Sequence, residues 1–421
     1  MNFVTISSGQ FRLDGSRFRF IGVNTYDLFK GEYTEPQLSS YFRYVKDNGI
    51  KVIRTWAFGG QGNSAGNLRY ISGNSLLWRE DGFIALDRVI KVASDYGIRL
   101  ILSLTNEFSY GSDKEMYCSW NNTINGTAYT HDGNNRCWEF MTDSNIKATF
   151  KEFLSKIINR TNTITGIGYK NDPAILSWEL GNELEYKGGT DTNQNTINST
   201  RIAAMGSWIS EIAAYIKSLD SHHLVNIGGQ GRWYDLVSGD TVHNGSYSGQ
   251  SYSSHATDSN IDFFDFHIYP YTDYSEFALK KYGQAVGNPD ESSKKGFYDQ
   301  INQYISVAKA NNKPVIIGEI GIDKRNTLNN LNASYPRSQF YADSINHFFN
   351  FGGDGYILWH YTNLFDDNNY NIKPDGIHSG GNANSNSNDD DTNLLSVLGQ
   401  KSTQLEGKRI PVSLVQSGAV I

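Results

Sequence analysis

Residues 174–183 read AILSWELGNE and residues 314–319 read PVIIGE: two apolar runs, each closing on a glutamate. Each reads as a buried strand that delivers a carboxylate at its C-terminal tip, and an isolated ionised carboxylate beside an apolar core is costly unless something uses it. Working outward, six further runs of the same character stand at FIGVNTY (20–26), VIRTWAF (52–58), RLILSLTN (99–106), LVNIGG (224–229), FFDFHIYP (263–270) and YILWHY (356–361). Between them lie segments with helical spacing of apolar residues, at 36–49, 84–97, 146–162, 201–220, 298–312 and 338–352. Several end in Gly or Asn, the usual stop signal of a helix. Alternating strand and helix implies parallel strands joined by right-handed crossovers, and eight units predict a closed (β/α)8 TIM barrel. A doubly wound open sheet is the competing fold; no Gly-rich dinucleotide fingerprint follows the first strand to favour it.

A chain of 421 residues fits one such domain with insertions, so residues 1–421 are read as a single unit. Residues 1–19 precede the first run and read as an alternating hairpin with Asp-Gly-Ser turn chemistry, expected to cap the barrel's bottom. The tail 409–421 is apolar enough to pack back on the barrel. Long insertions follow strands three (107–143), four (184–200), five (230–260), six (271–297) and eight (362–395), and in a barrel all rise on the C-terminal face, where catalysis lives. The stretch 380–393 is of low complexity and reads as a surface loop. Its Asp389, Asp390 and Asp391 read as a solvated acidic run ahead of a cation site.

Composition narrows the partners. Net charge is −7, with no block of lysine or arginine, which argues against nucleic acid or an anionic membrane. A neutral or weakly charged substrate is expected. Aromatic residues make up 13% of the chain, more than a core usually demands and suggestive of stacking platforms. The two cysteines, Cys118 and Cys137, lie in one loop-like insertion and are expected to form a disulfide in an oxidising compartment. Six Asn-x-Ser/Thr sites, at Asn121, Asn125, Asn159, Asn198, Asn244 and Asn332, fit a secreted glycoprotein. No run approaches 18 apolar residues, so no membrane span is expected. The start lacks the features of a signal peptide, and a secreted form is expected to have lost its leader.

The strand ends carry polar and aromatic groups where a core pattern predicts none: Asn24, Arg54, Asn106, Asn182, Glu183, His267, Tyr269, Glu319 and Trp359. Residues at the tips of different barrel strands converge on one mouth whatever their separation in sequence. Two glutamates there would supply the paired carboxylates of glycosidic-bond hydrolysis, one as proton donor and one as nucleophile or base.

The strand-four Asn-Glu pair, the His-x-Tyr of DFHIYP (265–270) and the Glu closing PVIIGE, together with FRLDGSRFRFIGVNTYDL (11–28) and ITGIGYKNDPAILSWELGNE (164–183), form a specific combination. On these motifs the chain resembles glycoside hydrolase family 5, in its eukaryotic-type β-mannanase and β-mannosidase branch, over nearly its whole length. The resemblance implies Glu183 as general acid/base and Glu319 as nucleophile of a retaining reaction. It implies Arg54 and Tyr269 beside the nucleophile, His267 near the acid, Asn182 at the sugar 2-hydroxyl and Trp359 as a stacking floor. Trp56 either lines another subsite or packs. The implied substrate is β-1,4-mannan, glucomannan, galactomannan or a manno-oligosaccharide, with neither metal nor organic cofactor, and a secreted monomer is expected. A β-glucanase on the same scaffold and an inactive carbohydrate-binding protein are the alternatives. The sequence departs from the family at GNELEY (181–186), where endo-mannanases carry Pro and often a basic residue after the Asn-Glu pair. That change falls on the leaving-group side of the cleft and leaves endo and exo action both open.

Overall fold

A computed structural model describes residues 1–28, 33–59, 67–108, 113–126, 137–186, 199–231, 248–269, 291–321, 337–359 and 391–406. The first strands are β1 (Thr5–Ser7), β2 (Gln10–Leu13) and β3 (Ser16–Arg17), a three-stranded antiparallel meander with two tight turns. The Asp-Gly-Ser signal marks its second turn. Eight strands then form one sheet: β4 (Phe20–Asn24), β5 (Val52–Trp56), β8 (Arg99–Ser103), β9 (Ile175–Glu179), β10 (Leu224–Asn226), β11 (Phe264–Ile268), β12 (Val315–Ile320) and β13 (Gly355–Leu358). The intervening β6 (Arg69–Ser72) and β7 (Ser75–Trp78) make a separate hairpin that the apolar pattern did not announce.

Every pairing in the large sheet is parallel, in the order β10-β9-β8-β5-β4-β13-β12-β11. Its two end strands meet at a seam. There the Asp262 N–H donates to the Val225 carbonyl at 2.8 Å, Val225 N–H donates to the Asp262 carboxylate at 2.7 Å, and Ile227 N–H donates to Asp265 Oδ1 at 3.3 Å. Two carboxylates thus stand in for the missing backbone ladder, and the sheet nearly closes into the expected (β/α)8 barrel.

The helices are α1 (Glu35–Asp47), α2 (Glu80–Tyr96), α3 (Lys114–Asn125), α4 (Glu139–Thr142), α5 (Ser144–Ile158), α6 (Ser199–Leu219), α7 (Tyr252–His255), α8 (Glu291–Ala310), α9 (Arg337–Phe351) and α10 (Asp391–Leu405). Their boundaries follow local chemistry. Thr34 and Gln37 form a capping box at the start of α1, whose Leu38, Tyr41, Phe42 and Val45 are buried at i, i+3, i+4, i+7 spacing. Asp143 caps α5 by accepting from Asn145 and Ile146 N–H. Inside the insertion after the third barrel strand, the Cys118–Cys137 disulfide joins α3 to the residues that lead into α4. Helix α10 starts at Asp391 and takes up the end of the expected 380–393 loop. Asp389, Asp390 and the tail 409–421 lie outside the described residues, as do the sequons at Asn198, Asn244 and Asn332. Asn121 is buried. Among the described residues, no helix is long and apolar enough to cross a membrane.

Two apolar clusters hold the fold. The larger packs the outer faces of the strands against the helices. The smaller takes one residue from each barrel strand or its entry, namely Phe20, Val52, Ile101, Leu176, Leu224, Phe263, Ile316 and Ile357, and adds Val4, Phe11 and Phe18 from the meander. It fills the barrel's N-terminal end, each Phe contributing about 1.5–3 kcal/mol by leaving water. Two residues further along each strand the side chain returns to the interior, and the filling turns polar: Arg54 above Val52, Ser103 above Ile101, Asn226 above Leu224 and Asp265 above Phe263, all buried.

Bulges break this alternation in two strands. Leu100 and Ile101 pair with Ile175 and Ser177, skipping Leu176, and Phe266 and His267 pair with Ile317 and Glu319, skipping Gly318. A bulge re-aims the side chains beyond it. Without them, counting from the interior residues Leu176 and Ile316 would turn Glu179 and Glu319 toward the helices; with them, both face the barrel axis.

Candidate active site

Arg54, 1% exposed, lies at the centre of the polar layer. Its Nε donates to both oxygens of Glu179 at 3.0 Å, and Nη2 donates to Glu179 Oε1 at 2.7 Å and to Asn182 Oδ1 at 2.7 Å. Its Nη1 donates to Asn24 Oδ1 at 2.9 Å and to Glu319 Oε1 at 2.7 Å. Burial alone would lower its pKa, but the charges of Glu179 and Glu319 raise it above the usual value, so the guanidinium is a fixed cation. The ring of acceptors is itself held. Asn24 Nδ2 donates to the carbonyls of Gly318 and Leu358, Asn226 Nδ2 donates to Glu179 Oε2 at 3.0 Å, and Asn182 Nδ2 donates to Asn106 Oδ1 at 3.0 Å.

Glu183 stands four residues beyond the end of β9, on a segment that continues beside β8 through a parallel bridge between Asn106 and Asn182. Its φ is +54°, a left-handed conformation that costs a side chain roughly 1–2 kcal/mol and persists only where the surroundings fix it. They do: Asn182 N–H donates to Thr105 O at 2.8 Å, Glu183 N–H to Gly228 O at 2.7 Å and Glu107 N–H to Asn182 O at 3.0 Å. Gly228, at φ +77°, permits the close approach, since a Cβ there would fall 2.2 Å from Gly181 O and 2.6 Å from the Glu179 carboxyl carbon.

The Glu183 carboxylate then meets His267 Nδ1 at 2.6 Å through Oε1, and Gln230 Nε2 donates to Oε2 at 3.2 Å. On the opposite side Tyr269 donates a short hydrogen bond to Glu319 Oε2, and His267 Nδ1 lies 3.5 Å from the same oxygen. One oxygen of Glu183, one oxygen of Glu319 and a ring nitrogen of His267 all lie within 4.8 Å of one another. Such a trio could hold a cation, in competition with the protons and with Arg54, which already claim these atoms. Among the described residues, His267 Nε2 is buried without a hydrogen-bond partner; it faces Gly318, where an added Cβ would lie 3.0 Å from it.

Electrostatics here differ from the simplest expectation, in which Arg54 holds Glu319 ionised and Glu183 keeps its proton. Burial pushes the Glu183 carboxyl up, but the hydrogen bond and charge of His267, helped by Gln230, bring it below the ordinary glutamate value. For Glu319 burial prevails over the charges of His267 and Arg54, and its pKa lies above the ordinary value, with Glu183 adding to the rise. Arg54 acts on Glu319 more weakly than expected because Glu179 takes three of its contacts. Burial disfavours the imidazolium, yet Glu319 and Glu183 together raise His267 above its ordinary pKa. The opposite shifts of Glu183 and His267 both favour the charged form of that pair.

Eight of the ten residues singled out in the sequence thus share one hydrogen-bonded cluster: Asn24, Arg54, Asn106, Asn182, Glu183, His267, Tyr269 and Glu319. Trp359 is half-buried at the mouth, its ring stacked on Tyr26 with centroids 5.7 Å apart. Trp56 is buried between Tyr26 and Phe58, at 4.8 and 5.1 Å, and backs that platform. Glu179 and Gln230 belong to the cluster and escaped the reading of strand tips. Glu179 had one sign, a charge inside an apolar run; Gln230 had none.

The match to known proteins runs through most of the chain. The model for "GH family 5 beta-mannosidase-like" proteins covers residues 1–371. Mannan endo-1,4-beta-mannosidase 5 of Solanum lycopersicum is 34% identical over 271 residues, 63% of this chain and 60% of that protein. Mannan endo-1,4-beta-mannosidase 4 of the same plant is 31% identical over 323 residues, 76% of this chain and 73% of the relative. The chain thus spans about 60% of the length of the first curated relatives it matches. Among solved structures, an endo-1,4-beta-mannanase from Rhizomucor miehei superposes with a TM-score of 0.74 at 25% identity, over 96% of this chain and 100% of the other. A family 5 mannosidase from the same fungus shares the fold with a TM-score of 0.66 at 18% identity, over 96% and 98%. With a barrel of this topology and a family match through residues 1–371, the chain belongs to glycoside hydrolase family 5, in its beta-mannosidase-like group.

Proposed function

We propose that this protein is a retaining hydrolase of β-1,4-linked mannan or its oligosaccharides, with residues 1–421 acting as one catalytic unit. One observation carries the reading: carboxylate oxygens of Glu183 and Glu319 lie within 4.8 Å of each other. Retaining glycosidases separate their carboxyl groups by about 5–5.5 Å, whereas inverting ones need about 6.5–9.5 Å to admit a water. The names of the relatives, mannan endo-1,4-beta-mannosidases, support mannan as the substrate. The disulfide supports secretion, since such bonds persist in oxidising compartments.

In this reading Glu319, held by Arg54 and Tyr269, attacks the anomeric carbon while Glu183 gives its proton to the departing glycosidic oxygen. The C1–O bond breaks and a glycosyl ester forms on Glu319. Glu183, now ionised, takes a proton from water, whose oxygen attacks C1 and frees Glu319. Neutral sugar covering the site excludes water and removes the screening that stabilises the ionised Glu183–His267 pair. A proton held by Glu183 Oε1 across its 2.6 Å contact with His267 Nδ1 arms the acid. Asn182 meets the sugar 2-hydroxyl, and Trp359 on Tyr26 forms the stacking floor.

The test is the stereochemistry of the first product. NMR of early hydrolysate from mannohexaose should show the β-anomer before mutarotation, and an initial α-anomer would exclude the mechanism. Glu319→Ala should abolish turnover with the fold intact.

A further inference from the structure

Beyond the reacting groups, one buried ion pair grips the segment that carries Glu183. Two residues after the acid, the Glu185 N–H donates to Glu107 Oε2 at 2.8 Å and the Glu185 carbonyl accepts from Lys114 Nζ at 2.7 Å. Lys114 Nζ and Glu107 Oε2 are themselves 2.8 Å apart. Both polar groups of one backbone residue are therefore held by the two ends of a single ion pair. Lys114 is 1% exposed and Glu107 4%.

The pair is anchored where it must be to fix an angle. Glu107 N–H donates to Asn182 O, directly before Glu183, and Lys114 N–H donates to Asn106 O at 3.2 Å; Lys114 opens helix α3, whose N-cap is Asp113. Gln250 Nε2 donates to Leu184 O at 3.1 Å, and Tyr186 N–H donates to Ser248 O. Hydrogen bonds thus bracket Glu183 on both sides.

Such a device is a poor way to gain stability. Burying two charges costs several kcal/mol per ion, and apolar replacements of like volume are often neutral or better. It is a good way to fix geometry, because charge-assisted hydrogen bonds are directional and strong. Glu183, at φ +54°, is the strained residue within the segment it fixes.

We propose that Lys114 and Glu107 are positioning residues that hold Glu183 in line with the departing oxygen. This rests on the reading of Glu183 as acid/base. A displacement of about 1 Å in a reacting group costs about 100-fold in rate, and proton donation contributes about 10²–10⁴-fold, so the loss should fall on substrates that need the proton.

The experiment compares kcat/KM for phenyl and 2,4-dinitrophenyl β-mannobiosides, because kcat/KM reports the glycosylation step and dinitrophenolate departs almost without protonation. Lys114→Met should lose about 10–100-fold on the phenyl substrate while the dinitrophenyl substrate changes by less than about threefold. Glu107→Gln keeps an acceptor for the Glu185 N–H without the charge; it should show the same selectivity to a smaller degree, and it remains available if Lys114→Met fails to fold. Equal losses on both substrates, or no loss on either, would overturn the proposal. Glu183→Ala, measured alongside, separates the two readings: selectivity there without selectivity in the two variants refutes the clamp alone, and its absence there refutes the role of Glu183 itself.

Discussion

Replacing Arg54 with methionine removes the one fixed cation, among the described residues, within reach of both Glu179 and Glu319. Six hydrogen bonds go with it. Breaking a buried ion pair from one side costs about 3–5 kcal/mol, because the partner is left as an uncompensated charge. At Glu319, proposed above as the nucleophile, an unshared unit charge at about 4 Å with an effective dielectric of about 20 is worth about 4 kcal/mol, and the share that Glu179 takes reduces it. Glu319 already lies above the ordinary glutamate value through burial, and losing Arg54 raises it further. If Glu319 attacks in its ionised form as proposed, the acid limb of the kcat/KM profile should move about two to three units upward, and activity well below that limb should fall about 100–1000-fold. A second substitution tells electrostatics from collapse. In Arg54→Met/Glu179→Gln the orphaned charge of Glu179 is gone, so unfolding stability should return most of the way to wild type while the acid limb stays displaced. The assay is a pH profile of aryl β-mannobioside hydrolysis beside urea unfolding of the same variants. An acid limb that does not move in Arg54→Met, or activity restored by the second substitution, would refute the assignment of Arg54 to the nucleophile.

Other substitutions probe the frame around the site. Gly318→Ala places a methyl 3.0 Å from His267 Nε2, so the imidazole must shift; kcat on mannotetraose should fall about 10–100-fold with KM little changed, and a normal kcat would mean His267 does not set the geometry. Stability should decline as pH rises from about 4 to 8. Burial lifts the carboxyl of Asp113 to about 7 and also raises that of Asp265; their contribution is complete below their unfolded pKa values near 4 and is lost as pH climbs through the folded values. Asp220, lowered to about 2 by His223 and Trp178 against the effect of burial, gives stability that disappears only as pH drops from about 4 through 2. Thermal unfolding at fixed ionic strength should peak near pH 4–5, and a melting temperature that is flat or rising toward pH 8 would contradict the upward shift of those two groups. Cys118→Ser/Cys137→Ser opens a link across 19 positions and should cost about 3 kcal/mol, read as a lower urea midpoint that reductant no longer changes.

Much of the barrel was legible because parallel strands covered by helices read as unbroken apolar runs. All eight runs became strands, and all six helical segments became helices within a few residues, apart from an earlier start for α8 at Glu291. The ends of the runs were less readable. AILSWELGNE pairs in the ladder only as Ile175–Glu179, because Leu180 to Glu183 leave it to form the segment gripped by Asn106 and Gly228. The hairpin β6–β7 and the helices α3, α4, α7 and α10 went unseen; the hairpin's strands are four residues each and only partly buried, too short to stand out as an apolar run. Trp56 shows the opposite limit: an aromatic residue at a strand tip does not say whether its ring faces the cleft or a neighbouring ring.

Glu179 was hidden for a sharper reason. Side chains alternate along a strand, so counting from Leu176 in the barrel's apolar plug puts Trp178 inward and Glu179 among the helices. The bulge opposite Leu100 and Ile101 reverses that count, sending Trp178 outward, where its Nε1 donates to Asp220, and Glu179 inward to Arg54. No local pattern encodes such a reversal, because the extra residue is as apolar as its neighbours. The consequence is chemical. With Glu319 as its only counter-ion, Arg54 would hold that carboxylate tightly as an anion and blunt it as a nucleophile. Shared with Glu179, the same guanidinium orients Glu319 through a single 2.7 Å contact while burial keeps its pKa high. The bulge in β9 thus tunes a carboxylate on β12, and removing Glu179's charge should lower the pKa of Glu319 by returning to it the share of Arg54 that Glu179 now holds.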